Sequence, residues 1–261
     1  AEERANECRR QARELLIRQG VDAAAIERLW MDFPERSFLR FTPEQIAWQT
    51  AGIANFHQNG PLVLIEAQGA RGGTEIFVHA ADRDGLFATI TAVLDRLRLS
   101  VHDARVVTSH SGMSLDSFLV LDSDGRAVSD PARIVRLQRA LLQALSHSPY
   151  RAELVVRAPS RSLRHFPIAP RIEFSAPVRG RTQLAVVCAD RPGLLACIAH
   201  LFRERGIRVH DARIATFGER VEDFFLISDE HDAPLADDAR KDLDTAMMQL
   251  FDTPREHHGA A

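Results

Sequence analysis

Apolar and polar positions follow two different rhythms along this chain. Up to residue 60 the period is helical. Ala5, Cys8, Ala12, Leu15 and Leu16 fall three and four residues apart, and Gly20 stands where such a helix would stop. Asp22 suits the N-cap of a short helix carrying Ile26, Leu29 and Trp30, which must end before Pro34. Thr42-Pro43-Glu44-Gln45 has the form of a capping box with proline at the first helical position, and the helix it opens carries Ile46, Ala47, Ile53 and Phe56. From Pro61 the rhythm shortens. Leu62–Glu66 and Glu75–Ala80 read as strands, followed by a helix with Leu86, Ile90, Val93, Leu94 and Leu97 as its stripe. Strands over Ser100–Thr108 and Leu115–Leu121 come next, then a helix opened by Asp130-Pro131, then a strand over Tyr150–Val156.

The pattern then restarts. Residues 157–170, with Pro159, Pro167 and Pro170 among basic residues, have linker composition. Beyond them come strands at Arg171–Phe174 and Thr182–Cys188, a helix over Gly193–Glu204, strands at Ile207–Phe217 and Val221–Ser228, and a helix over Asp237–Phe251. The restart is also literal. Ala81-Asp82-Arg83-Asp84-Gly85-Leu86 returns as Ala189-Asp190-Arg191-Pro192-Gly193-Leu194, and Val101-His102-Asp103-Ala104-Arg105 returns unchanged as Val209-His210-Asp211-Ala212-Arg213. Both recurrences stand 108 residues apart, Asp82 to Asp190 and Val101 to Val209, so no gap separates them. A period this long means two copies of a small domain and not a solenoid, whose units repeat every ~20–50 residues.

The order strand-helix-strand-strand-helix-strand is ferredoxin-like. The expected fold is therefore α+β: a helical segment over 1–60, a βαββαβ unit over 61–157, a linker over 158–170 and a second unit over 171–254. The second unit lacks a trailing strand, and Arg171–Phe174 is expected to fill that place in its sheet, because an open edge is a liability.

Composition narrows the function. A net charge of −3 and 26% charged residues over 261 positions describe an ordinary globular chain, with no basic face of the kind nucleic-acid binding needs. No apolar run reaches the ~18 residues of a membrane span and no signal-peptide pattern opens the chain, so a cytoplasmic setting without membrane contact is expected. Cys8, Cys188 and Cys197 cannot close a disulfide set and read as small buried hydrophobes. The chain opens on Ala1 and runs straight into helical sequence, as part of a longer protein would.

The repeated motif carries the candidate chemistry. In each copy an acid and a glycine stand where a strand gives way to a helix: Asp82 with Gly85 and Leu86, Asp190 with Gly193 and Leu194. Glycine admits a tight turn and a close ligand, and the helix that follows offers free N–H groups to a carboxylate. The acid can cap that helix or hold an ammonium group. Together these groups suit an amino acid, with Asp103 and Asp211 of the recurring strand as further candidates. Asp84 in copy one stands where copy two has Pro192, and its charge beside a carboxylate site favours copy two as the stronger binder.

Two copies of Asp-Arg-x-Gly-Leu, each followed by Val-His-Asp-Ala-Arg, resemble a tandem pair of ACT domains, modules that sense amino acids. Gly218–Phe225, His165-Phe166-Pro167, Arg171–Phe174, Phe38-Leu39-Arg40 and Glu44–Trp48 further resemble the C-terminal region of the bifunctional PII uridylyltransferase/uridylyl-removing enzymes. That resemblance implies L-glutamine as ligand. It also implies an upstream nucleotidyltransferase domain and an HD phosphohydrolase domain as partners, the PII signalling protein as target, and residues 1–60 as the exit from the HD domain. It places magnesium with the catalytic domains and implies no cofactor in this chain.

Other readings compete for the same residues. His102-Asp103 and His210-Asp211 invite a metal-hydrolase assignment. They sit on alternating strands without further ligands, which favours a structural or ligand-rim role. Strict alternation would put Val101, Asp103, Arg105 and Val107 on one face and His102, Ala104, Val106 and Thr108 on the other. Asp122 and Asp124, followed by Gly125, read as a turn. Phe118, Phe224 and Phe225 are core and not base-stacking residues, since Asp116, Glu222 and Asp223 would repel phosphate. No catalytic motif emerges. The alternative to ligand sensing is a module that docks the catalytic domains or the PII protein without a small ligand.

Overall fold

A computed structural model describes residues 1–150 and 168–252. Four helices open it: α1 (Glu2–Arg18), α2 (Ala23–Asp32), the single turn α3 (Ser37–Arg40) and α4 (Pro43–Ala54). Their ends follow local chemistry. The Asp22 carboxylate accepts from the Ala25 amide at 3.0 Å, and the Thr42 hydroxyl and Gln45 side chain satisfy each other's backbone amides. The turn α3 was not among the expected elements. At four residues it is too short to show a period.

The first repeat then runs β1 (Leu62–Glu66), β2 (Thr74–His79), α5 (Leu86–Arg96), β3 (Ser100–Arg105), β4 (Asp116–Leu121) and α6 (Pro131–Leu145). The second runs β5 (Arg171–Val178), β6 (Arg181–Ala189), α7 (Leu194–Glu204), β7 (Arg208–Phe217), β8 (Arg220–Ser228) and α8 (Asp237–Asp252). All eight strands form one antiparallel sheet in the order β1-β2-β4-β3-β7-β8-β6-β5. Strand β5 pairs with the outer edge of β6, the place foreseen for Arg171–Phe174. Strand β1 fills the corresponding place beside β2, so in both repeats the leading strand takes the outer position. The trailing strand expected for the first copy lies, apart from Tyr150, outside the described residues, as does most of the linker. Tyr150 is buried, and its hydroxyl donates to the Ala81 carbonyl at 2.7 Å.

The repeats meet edge to edge along β3 and β7. Arg105 stands opposite its own counterpart Arg213, so the local two-fold relation passes between them. One face of the sheet carries α5 to α8 over a core that runs across both repeats. Phe87 of α5 lies near Phe118 of its own repeat and edge-on to Phe225 of the other, with both centroid distances 6.4 Å. The opposite face of the first repeat receives the N-terminal helices. Trp30, Phe38, Phe41 and Ile46 bury there against Phe77, Val107 and Leu115. Phe118 and Phe225 are fully buried in the helix-side core, and Asp122 accepts amide hydrogen bonds from Asp124 and Arg126 within its turn.

Candidate functional site

Helices α5 and α7 begin at glycines in the left-handed region, Gly85 at φ 87° and Gly193 at φ 75°, and no side chain caps either helix. The motif acids are therefore not helix caps. Asp82 accepts instead from the Thr108 hydroxyl. Each glycine also sits under the opposite repeat's helix. A Cβ at Gly85 would stand 3.1 Å from Cζ of Arg203 on α7, and one at Gly193 would stand 3.0 Å from Oδ1 of Asp95 on α5. Arg203 and Asp95 occupy equivalent positions of the two repeats. The two-fold arrangement thus puts a cation over one motif and an anion over the other.

Two cavities result, one at each motif, each closed by the start of the other repeat's seam strand. The larger, about 520 Å³, is lined by Asp82, Gly85 and Leu86, by Arg203 and by residues 207–210 of the second repeat. The smaller, about 130 Å³, is lined by Asp190, Gly193 and Leu194, by Asp95 and by residues 99–101 of the first. Six of the eight candidate residues therefore fall into two symmetric groups. Asp103 and Asp211 join neither. A bulge at His102 and at His210 shifts the register of both strands, so Val101 packs with Ala104 and Val106 in the helix-side core, against the strict alternation expected. Asp103 faces the other way, ion-paired with Arg71 and 3.4 Å from Arg105, while Asp211 is buried against Arg40 of α3. His210 lines the larger cavity, with Nε2 2.6 Å from the Ser228 hydroxyl.

The larger cavity's charges are unevenly placed. Burial pushes the Asp82 carboxyl above its ordinary range, with Asp84 adding to the rise and Thr108 opposing it. Beside it Asp116 is wholly buried and held well above the usual carboxylate range, although Oδ1 accepts from the Val107 amide at 3.3 Å. Burial, helped by Arg181, pushes His210 down to about 4, leaving a neutral imidazole near pH 7. The charge of Asp84, expected to count against this copy, is met by Arg208 of the other repeat at 2.9 Å. In the smaller cavity burial raises Asp190, and raises Asp223 to about 8 with Asp190 adding to it. The first motif therefore has the roomier cavity, and the Asp84 charge expected to weaken that copy is paired there.

Asp116 and Asp223, read from the sequence only as charges that would repel phosphate, are instead buried behind the two cavities, each two residues before a fully buried phenylalanine. Sequence reasoning missed Arg36, which reaches the larger cavity from beyond the repeats. No group of three or more His, Cys, Asp or Glu side chains among the described residues is placed to hold a metal ion. Among the same residues no helix is long and apolar enough to cross a membrane.

Paired βαββα units sharing one sheet, with cavities at the strand-to-helix turns beside the seam, define an ACT-type regulatory region, and the ACT domain family matches residues 182–245. The family described as "Uridylyltransferase GlnD fifth domain" matches residues 1–52. A bifunctional uridylyltransferase/uridylyl-removing enzyme from Xanthomonas campestris pv. campestris is 46% identical over 96% of this chain and 29% of its own length. The like-named enzyme of Azotobacter vinelandii is 40% identical over 90% of this chain and 27% of its own. An aspartate kinase from Synechocystis superposes on 69% of this chain and 26% of its own at a TM-score of 0.37 and 16% identity. The chain corresponds to the C-terminal, fifth-domain and ACT region of the bifunctional uridylyltransferase/uridylyl-removing enzymes, and spans under a third of the length of the relatives it matches.

Proposed function

We propose that this region senses a free α-amino acid, L-glutamine by the family resemblance, in the larger cavity. Occupancy there biases upstream nucleotidyltransferase and HD domains between uridylylation of the PII protein and its reversal. The observation that carries the reading is the roughly 520 Å³ cavity at the seam, which brings a buried acid and an uncapped helix start together. The first-turn residues Phe87 and Ala88 of α5 line it, and the positive end of that helix suits a carboxylate. Asp82 suits the ammonium group. A bound cation would offset the burial that now raises this acid and would favour its ionised form. Because both repeats wall the cavity, occupancy fixes their relative placement, and a coupling of 1–3 kcal/mol is the usual scale for such a signal.

Calorimetric titration with L-glutamine, with L-glutamate and D-glutamine as controls, tests the reading. Saturable binding of L-glutamine alone at one site per chain is expected. Absence of heat with all three would leave the seam as a docking scaffold.

A further inference from the structure

The larger cavity is built from three parts of the chain, not two. Arg36, which immediately precedes α3 in the helical segment, lines it together with Arg181 at the start of β6. The Nε atoms of both arginines are buried and have no hydrogen-bond partner among the described residues. Donors shut away from water without an acceptor are rare and costly, and an arriving acceptor removes the cost. Burial holds Arg36 below the usual guanidinium range, and the like charges of Arg181 and Arg40 add to this while Asp211 opposes it. Four residues on, Arg40 is ion-paired with the buried Asp211 of β7, so the same turn of chain both walls the cavity and grips the second repeat's seam strand.

Resting on the reading that this cavity takes an amino acid, we propose that Arg36 is a ligand-contact residue of the helical segment. Its guanidinium, with that of Arg181, donates to a carboxylate or carboxamide oxygen of the bound molecule. Occupancy therefore fixes α3, and the helices packed with it, against the seam between the repeats. The signal leaves the ACT pair by direct contact with the N-terminal helices, through Arg36 with ligand bound and through Arg40–Asp211 in either state.

The test uses the full chain with L-glutamine as probe and two readouts, calorimetric affinity and hydrogen exchange at the Arg40 and Phe41 amides. Those amides close α3 onto the carbonyls of Arg36 and Ser37, each at 3.0 Å. In the unaltered chain, glutamine is expected to slow exchange at both. Arg36→Met should weaken binding by about tenfold or more and abolish that slowing even at saturation, with Arg36→Lys intermediate. Arg36→Lys keeps the charge and stem and guards against a simple loss of fold. Affinities of both variants within about twofold of the unaltered chain would overturn the inference and leave the proposed function standing. So would binding that leaves the two amides unchanged. No binding by the unaltered chain would remove the proposed function and this inference with it.

Discussion

Gly85 and Gly193 allow a matched experiment, because the fold treats them alike and the proposed ligand does not. Both initiate a helix from the left-handed region, at φ 87° and 75°, so alanine meets the same backbone penalty of roughly 1–2 kcal/mol at either position. Loss of glycine's freedom in the unfolded chain returns about 0.4–1 kcal/mol. The new methyl group crowds the tip of a long or polar side chain in each case, Arg203 at 3.1 Å or Asp95 at 3.0 Å, and neither contact is with backbone. Net destabilisation near 1 kcal/mol is expected for each variant, a fall in Tm of about 2–4 °C in a chain of this size. Binding should separate them. Gly85→Ala displaces Arg203 and crowds the α5 turn in the larger cavity, and L-glutamine affinity should fall about tenfold, or 1.4 kcal/mol. Gly193→Ala should leave affinity and stoichiometry unchanged. Thermal melts and titration of both variants decide it. Equal losses, or a loss at Gly193→Ala alone, would refute the assignment of the ligand to the first motif.

Three further outcomes are expected. Asp223 keeps its proton in the fold up to pH about 8, whereas the unfolded chain releases it near 3.8, so stability should decline as pH rises between those values. The decline attributable to this group is at most on the order of 5 kcal/mol, and Asp223→Asn should flatten it. Urea melts at pH 5 and pH 8.5 with equal differences in both proteins would count against this. Removing Arg40 strands a buried carboxylate, so Arg40→Ala should cost about 3–5 kcal/mol, and adding Asp211→Ala should recover part of that. A double mutant no more stable than the single one would show that the pair is not coupled. Phe225 packs against Phe202 and Phe87, rings of both repeats, and its truncation to alanine should cost about 3–5 kcal/mol. Calorimetry should show one transition moving as a whole. A second transition left in place would mean that the repeats fold independently.

Most of the architecture was legible because its signals are local. Capping residues at Asp22 and Thr42 marked two helix starts, and the apolar run Thr182–Cys188 marked a strand that the structure extends to Arg181–Ala189. The 108-residue recurrence exposed the duplication without any structure. What failed did so for want of non-local information. Strict alternation misplaced Val101, because a bulge at His102 is a property of strand pairing that no single strand shows. Asp103 and Asp211 recur as faithfully as Asp82 and Asp190, yet they serve as ion-pair partners on the face away from the cavities. Exact recurrence marks what both copies need, and both copies need a seam. Ranking the copies by Asp84 left out Arg208, which meets that charge from 124 residues away in the chain.

The proposed site rests on what the copies do not share. A two-fold arrangement of identical repeats would produce two identical cavities, and the turns themselves are close to identical, with paired glycines, paired acids and a buried aspartate behind each. The symmetry is broken at Arg203 against Asp95, and by the helical segment, which supplies Arg36 to the first cavity while the second is lined by the repeats alone. The first cavity thereby gains cations and volume, and the second keeps its acids and contracts. Symmetric binding at two sites would report only on the repeats. The proposed single site, walled by both repeats and by Arg36, would make the N-terminal helices part of the binding equilibrium. A ligand can shift that equilibrium only through contacts that differ between its states, and the proposed Arg36 contact would be one on the N-terminal side of the seam.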